Sequence, residues 1–308
     1  MNADEALFKK HEITGIGLCV PDVIACARQY GELLGVGPWK FFEQQLDDGR
    51  HLRTAEAKMG RLNVELRQPM KGEPTNRFHH ISIGPIEDFG GVLEDVKVFD
   101  VSVDLHENGS GSCHAMLDTT EMLGTRLEMH KVHDRHQDPF AEYAPTDSLV
   151  KIQDKDIVQL GIVVDDVERF ADCYSRMFGI EDWSFLDFSP GAQWRGIYRG
   201  LPLSGQQFHI KAGLAMHGDM QIELLQPTWG VSTHMDFLKE SGNGVHHVSF
   251  GQVPDHDELV TKLRAGGVEI EMAGEVGTGA WFTYFRSAHR LGTIFEMVGG
   301  DPGPEVRG

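Results

Sequence analysis

The sequence predicts an α+β protein of four units, each a strand, a helix and further strands, and internal repetition predicts it. Residues 16–42, IGLCVPDVIACARQYGELLGVGPWKFF, align without a gap on 160–186, LGIVVDDVERFADCYSRMFGIEDWSFL, at an offset of 144 that carries Tyr30 onto Tyr174, Gly35 onto Gly179 and Trp39 onto Trp183. Shorter echoes follow, FHHISIG (78–84) with VHHVSFG (245–251) and LGTRLEM (123–129) with LGTIFEM (291–297). The repeats mark duplicated halves, and the pattern restarts once within each half.

Each half opens on a strand, TGIGLCV (14–20) and VQLGIVV (158–164). In the second, Asp165 or Asp166 caps a helix whose apolar positions Val167, Phe170, Ala171, Tyr174, Met177 and Phe178 recur every three or four residues. Gly179 stands where a left-handed C-terminal cap is needed. Strand segments follow and end in RLNVELRQP (61–69) and MQIELLQP (220–227), each closed by proline. The next unit of the second half reads as strand GVHHVSF (244–250), helix DHDELVTKLRAGG (255–267), strand WFTYF (281–285), turn SAHRLG and strand TIFEMV (293–298). Its counterpart has a weaker helix, IEDFGGVLEDV, interrupted by Gly90 and Gly91. The organisation expected is a first domain over 1–130, a polar, proline-containing linker over 131–155, a second domain over 156–300 and a loose tail over 301–308.

Formal net charge is −19 and the 28 Lys and Arg residues form no dense cluster. An acidic field repels phosphates, which argues against nucleic acid and anionic membrane as partners. No apolar run approaches a membrane span, MNADEALFKK lacks the apolar core of a signal peptide, and Cys19, Cys26, Cys113 and Cys173 show no CxxC spacing. A cytoplasmic protein with reduced cysteines is the expectation.

Four side chains of the second half stand at matching points of its two units. Gln159 and His247 lie on the opening strands, Glu223 and Glu296 on the closing strands. Any one of these alone reads as a solvated strand residue. Together, three oxygen donors and an imidazole make a six-coordinate site for one divalent ion (Zn, Ni, Co, Mn or Fe), with two positions left for substrate or water. Strand alternation sends one ring of His246-His247 to each face, so one is expected at the surface. His130, His133 and His136 fall in or beside the linker and read as solvated. Trp194, Arg195, Tyr198, His209 and Lys211 lie on the middle segments of the third unit and, with Tyr284, His289 and Arg290, are candidates to line a substrate pocket.

QLGIVVDDVERFADCYSRMFG, QIELLQP, FLKESGNGVHHVSF and LGTIFEMV, in that order and spacing, resemble the vicinal-oxygen-chelate superfamily of glyoxalases, methylmalonyl-CoA epimerases, extradiol dioxygenases and bleomycin-resistance proteins. The resemblance implies four βαβββ modules forming two open barrel-like mixed sheets, with metal ligands on the first and last strands of each paired unit. Carried over, those ligands are Gln159, Glu223, His247 and Glu296, similar to the glyoxalase I set. Extradiol enzymes place a histidine where this chain has Gln159, which counts against oxygen activation. Val163 and Asn243 occupy positions where some glyoxalases hold glutathione with arginine, so glutathione is not the expected carrier. In the first half Gly15 replaces the opening ligand while Glu65, His80 and Glu128 remain, a candidate second, degenerate site. Modules are free to pair within or across halves, and sequential adjacency favours pairing within.

The function expected is a divalent-metal-dependent isomerase, epimerase or lyase of glyoxalase type. It would abstract a proton α to a carbonyl of a small organic substrate through an enediolate, with Glu296 and Glu223 as acid/base groups. The alternatives are an Fe(II) extradiol-type ring-cleaving dioxygenase and a non-catalytic ligand-sequestering protein of the same fold. The partner expected is the small-molecule carbonyl substrate, with a second copy of the chain as the one protein partner entertained.

Overall fold

A computed structural model describes residues 6–45, 51–70, 72–107, 113–131, 138–189, 191–204, 207–276 and 279–300. The tail over 301–308, with His133 and His136, lies outside them. The first half contains β1 (Ile13–Cys19), α1 (Val23–Leu34), β2 (Trp39–Gln45), β3 (His51–Met59) and β4 (Leu62–Arg67), then β5 (Arg77–Ile83), α2 (Phe89–Val96), β6 (Val103–Glu107), β7 (Cys113–Leu117), α3 (Thr120–Leu123) and β8 (Arg126–His130). β9 (Ala141–Tyr143) falls within the stretch read as linker. The second half contains β10 (Gln159–Val163), α4 (Val167–Phe178), β11 (Ser184–Phe188), β12 (Arg195–Tyr198), β13 (Leu201–Ser204), β14 (Phe208–His217), β15 (Met220–Gly230) and α5 (Thr233–Ser241). It ends with β16 (Gly244–Gln252), α6 (His256–Ala265), β17 (Ile270–Val276), β18 (Ala280–Phe285), α7 (Ala288–Leu291) and β19 (Ile294–Gly299).

The fold is the mixed α+β tandem the repeats predict. Asp166 accepts from the Arg169 N–H at the start of α4, and Gly179 closes it at φ 68°, the left-handed conformation that costs glycine least. Despite Gly90 and Gly91, α2 forms, because the Asp88 carboxylate accepts the Gly91 N–H.

Strands pair within halves. One sheet runs β6-β7-β8-β5-β1-β4-β3-β2-β9 and the other β11-β14-β15-β10-β16-β19-β18-β17-β12-β13. Each centre is built alike: the opening strands β1 and β5, or β10 and β16, run antiparallel, and each is flanked by a parallel closing strand. The third unit departs from four strands by the β12–β13 hairpin. β12 pairs with β17 of the fourth unit, so the chain crosses from one edge of the second sheet to the other between Phe188 and Arg195.

The linker reading needs correction for part of 131–155. β9 pairs with β2, and Val150 and Ile152 are buried in the core, because their backbone amides bond to the Leu33 and Leu34 carbonyls at the end of α1. His130 is likewise buried rather than solvated, its Nε2 lying 2.9 Å from Thr14 Oγ1.

One apolar core joins the halves, uniting Ile16, Tyr30 and Leu127 with Leu160, Tyr174 and Phe295. A second cluster, including Phe208, Ile210, Leu225, Met272, Phe282 and Tyr284, fills the cup of the second sheet. Cys19, Cys26 and Cys173 are buried and unpaired. No helix among the described residues is long and apolar enough to cross a membrane.

Candidate metal centre

The second-half site is set by register. Residues opposite each other in neighbouring strands share a face. One row runs Glu223, Gly161, His247, and the next runs Gln221, Gln159, Ser249, Glu296, Tyr284. Gly161 is the floor: a Cβ there would stand 1.8 Å from His247 Cε1, so the imidazole lies flat across it toward Glu223. His247 Nε2 is 3.4 Å from Glu223 Oε2 and 3.6 Å from Glu296 Oε2.

Neither ring of the His246-His247 pair goes to the surface, where alternation placed one of them. His247 pairs with Gly161 and Val245 with Ile162, so His246 is the extra residue of a β-bulge, and both rings are buried. Their Nδ1 atoms are 3.1 Å apart, and His246 Nε2 is 3.0 Å from Thr233 Oγ1 at the start of α5. Burial holds the His246 pKa well below the ordinary imidazole value. Next along α5, His234 is 3 % exposed with neither ring nitrogen hydrogen-bonded, and burial pushes its pKa down to about 3.

Burial raises the Glu296 pKa, the His247 ring opposes that rise, and the Glu223 carboxylate adds to it. Hydrogen bonds with Ser249 and Tyr284 hold the Glu296 side chain in place. The Tyr284 ring lies 4.7 Å from that of His247, and burial holds its hydroxyl in the neutral O–H form. Gln159 shares the face and row of Glu296, with its amide donating to Gln221 Oε1 at 2.6 Å. Glu223 and Glu296 thus both come directly to His247, and Gln159 stands two residues along its strand from the row of Glu223 and His247, on the same face.

These residues fit a divalent cation. His247 Nε2 and Glu223 Oε2 are both buried without a hydrogen-bond partner. Leaving such atoms unmatched costs about 1–3 kcal/mol each, and a shared cation satisfies both.

The other pocket candidates divide. Tyr284 borders the centre. Trp194 fills the cup, its indole packed against Phe188 and Phe208 and its Nε1–H donating to the Glu275 carbonyl. Tyr198 is held at α5, its hydroxyl 2.5 Å from Asp236 Oδ2. Three others turn away from the centre. Arg195 pairs with Glu275. His209 meets Thr228 at 2.6 Å on the rim, since the β14 residues on either side of it are the ones that face the apolar cup. Arg290 reaches Gln29 of the first half, because α7 packs on α1 behind the sheet. Val163 is buried, and Asn243 accepts the Asp165 N–H, leaving both places without a cation.

The first-half site repeats the design. Its rows run Glu65, Gly17, His80, Arg126 and Asn63, Gly15, Ser82, Glu128, Met116. A bulge at His79 mirrors that at His246, and a Cβ on Gly17 would stand 2.0 Å from His80 Cε1. Ligand atoms of Glu65, His80 and Glu128 lie within 4.8 Å of one another. Ser82 donates to Glu128 Oε2 at 2.8 Å, and His79 is surrounded by Arg67, Arg126 and Glu73.

Sequence reasoning missed His234, His246 and Thr233. The signal for the bulges was present in the doubled histidines at matching points of both halves, each facing a glycine of the opening strand.

Residues 158–285 match the family model of the glyoxalase/bleomycin resistance protein/dioxygenase superfamily. No curated protein matches the chain. Among solved structures, a triple mutant of 4-hydroxymandelate synthase from Streptomyces coelicolor is similar at a TM-score of 0.63 and 13% identity, over 95% of this chain and 93% of that one. A xylose isomerase-like TIM barrel/4-hydroxyphenylpyruvate dioxygenase fusion protein is similar at a TM-score of 0.50 and 13% identity, over 94% of this chain and 49% of its own. A Streptomyces coelicolor methylmalonyl-CoA epimerase variant is 21% identical over 47% of this chain and 96% of its own, at a TM-score of 0.33. At these identities the likeness is one of fold.

Proposed function

We propose, from the premise that this chain belongs to the vicinal-oxygen-chelate superfamily, that its second half is a divalent-metal-dependent isomerase, epimerase or lyase acting at the carbon next to a carbonyl. The observation that carries the reading is His247 Nε2, buried and unpartnered between the carboxylates of Glu223 and Glu296. Gln159 completes the donor set on the same face. A divalent ion held by these residues supplies Lewis-acid polarisation of the substrate carbonyl, which acidifies the α-proton.

The chain's own groups then move that proton. Glu296, whose pKa burial raises, is one acid/base carboxyl. Hydrogen bonds with Tyr284 and Ser249 fix the direction of its oxygens. Glu223, on the other side of His247, is the second carboxylate. Return of the proton to the same carbon is epimerisation, and return to its neighbour is isomerisation. Phe188, Trp194, Phe208 and Phe282 pack as an apolar cluster in the second sheet. The second reading is an Fe(II) ring-cleaving dioxygenase with His247 and Glu296 as ligands, which iron-dependent oxygen uptake with a catechol reveals.

The test is elemental analysis after reconstitution, followed by α-proton exchange in heavy water with 2-oxo acids, thioesters and α-hydroxy ketones. One ion per chain, lost in His247→Ala, with exchange lost in Glu296→Gln, supports the reading. Full exchange by Glu296→Ala removes the assignment of that residue. A wild type that takes up no ion leaves only a ligand-sequestering protein.

A further inference from the structure

Three imidazoles gather where α5 packs on the β16 bulge. His234, His246 and His247 are all buried, and each offers one ring nitrogen within 4.8 Å of the other two. Aromatic rings wall the group. Tyr284 packs against all three, at 5.4 Å from His234, 5.6 Å from His246 and 4.7 Å from His247, and Phe237 lies 5.3 Å from His246.

His234 is the side chain that asks for a ligand. Neither of its ring nitrogens has a hydrogen-bond partner, although both are buried. As a space filler it would be served better by phenylalanine, which leaves no polar atom unmatched. His246 Nδ1 and His247 Nδ1 are 3.1 Å apart. That is the spacing of roughly 3.0–3.4 Å that two nitrogens take when each is about 2.0–2.1 Å from one ion. The other nitrogen of His246 is 3.0 Å from Thr233 Oγ1, the kind of outer contact that orients a ligating ring.

The donor set selects the ion. All three donors are imidazoles, with no carboxylate among them. Nothing in the set cancels the charge of a bound cation, and burying charge among aromatic rings costs more for a divalent ion than for a monovalent one. A monovalent ion that prefers nitrogen to oxygen and is satisfied by three ligands is Cu⁺. We propose that His234, His246 and His247 form a cuprous-ion site, distinct from the divalent centre and sharing only His247 with it. A neutral imidazole has a single lone pair. His247 turns Nε2 to Glu223 and Glu296 and Nδ1 to His246, so it serves one ion at a time and Cu⁺ excludes the divalent ion. Only that exclusion rests on the divalent reading above.

The first half has the bulged pair without the third ring. Among the described residues no helix stands between β4 and β5, and His79 is flanked by the guanidinium groups of Arg67 and Arg126, the latter 2.7 Å from its Nε2. Fixed positive charge there repels a cation, so one cuprous site per chain is expected.

Cu⁺ titrated anaerobically into the chelator-treated protein against bicinchoninate counts tight sites, and copper X-ray absorption identifies the ligands. One ion per chain, on three imidazole nitrogens without sulfur, is expected. Binding should survive in Glu223→Gln/Glu296→Gln and be lost in His234→Phe. Should His234→Phe not fold, Thr233→Val is expected to weaken binding about 10–100-fold. No tight ion in the wild type, sulfur at the copper, undiminished binding in His234→Phe or Thr233→Val, or loss in the carboxylate variant overturns the proposal. Co²⁺ separates this site from the divalent centre. Release of bound Co²⁺ one for one by Cu⁺ supports the shared ring, and retention of both ions overturns the sharing. A protein that takes Cu⁺ and never Co²⁺ keeps this site and loses the divalent reading, and the reverse result does the opposite.

Discussion

Tyr30 donates its hydroxyl to the carbonyl of Leu291 across 2.8 Å, tying the first helix of one half to the last helix of the other. Its repeat partner returns the contact: Tyr174 donates to the Leu123 carbonyl at 2.9 Å. Both rings are fully buried. Tyr30→Phe and Tyr174→Phe each strand a buried carbonyl and are expected to cost about 1–2 kcal/mol. With one core spanning both halves, each variant should shift the urea midpoint in a single transition read alike by circular dichroism and by fluorescence.

Gly161 and Gly17 offer a paired test of the two centres. An alanine methyl at either position collides with the imidazole above it, at 1.8 Å from His247 or 2.0 Å from His80. Gly161→Ala is expected to abolish divalent-ion binding, while Gly17→Ala leaves the ion content at one per chain. Elemental analysis of the two purified variants checks this, and equal loss in both would contradict the assignment of the ion to the second half.

His234 sets an acid limit on stability. Its pKa falls from an ordinary value near 6.5 to about 3 on burial, so the folded state binds fewer protons than the unfolded state between these values. That sign gives stability which is complete above about pH 6.5 and declines as pH falls toward 3, at up to about 1.4 kcal/mol per pH unit for this group. Replacing the ring with one that does not titrate, in His234→Phe, should flatten the decline. Denaturant midpoints of the chelated protein at pH 7.5 and pH 5 measure it.

Trp194 occupies the second-half cup, and its indole is why positions 196 and 274 are glycine. A Cβ on Gly196 or Gly274 would stand 2.4 or 2.1 Å from its ring. Trp194→Ala should open an apolar space, costing about 3 kcal/mol in stability and creating a binding site for an environment-sensitive hydrophobic dye. No dye enhancement over wild type would show that the cup collapses instead.

The fold was legible because periodicity and capping are local. The spacing from Val167 to Phe178, ended by Gly179, specifies one helix wherever it packs, and the repeat told where its twin must lie. The carboxylates and His247 were legible for a similar reason, since strand ends at matching points carried them. His246 was misread because a bulge breaks the alternation on which the reading depended, and it reveals itself only in the register of Gly161 with His247 and Ile162 with Val245. Arg290, a pocket candidate on sequence, bonds Gln29, because a short turn next to a site strand can face either layer.

A bulge lets a strand take up one extra residue without shifting the rest: Val245 keeps Ile162 and His247 keeps Gly161, so the inserted His246 ring reaches the buried side while its neighbours keep their faces. The first half does the same at His79. A change at either inserted position therefore alters what stands behind the site histidine and leaves the frame of the sheet untouched.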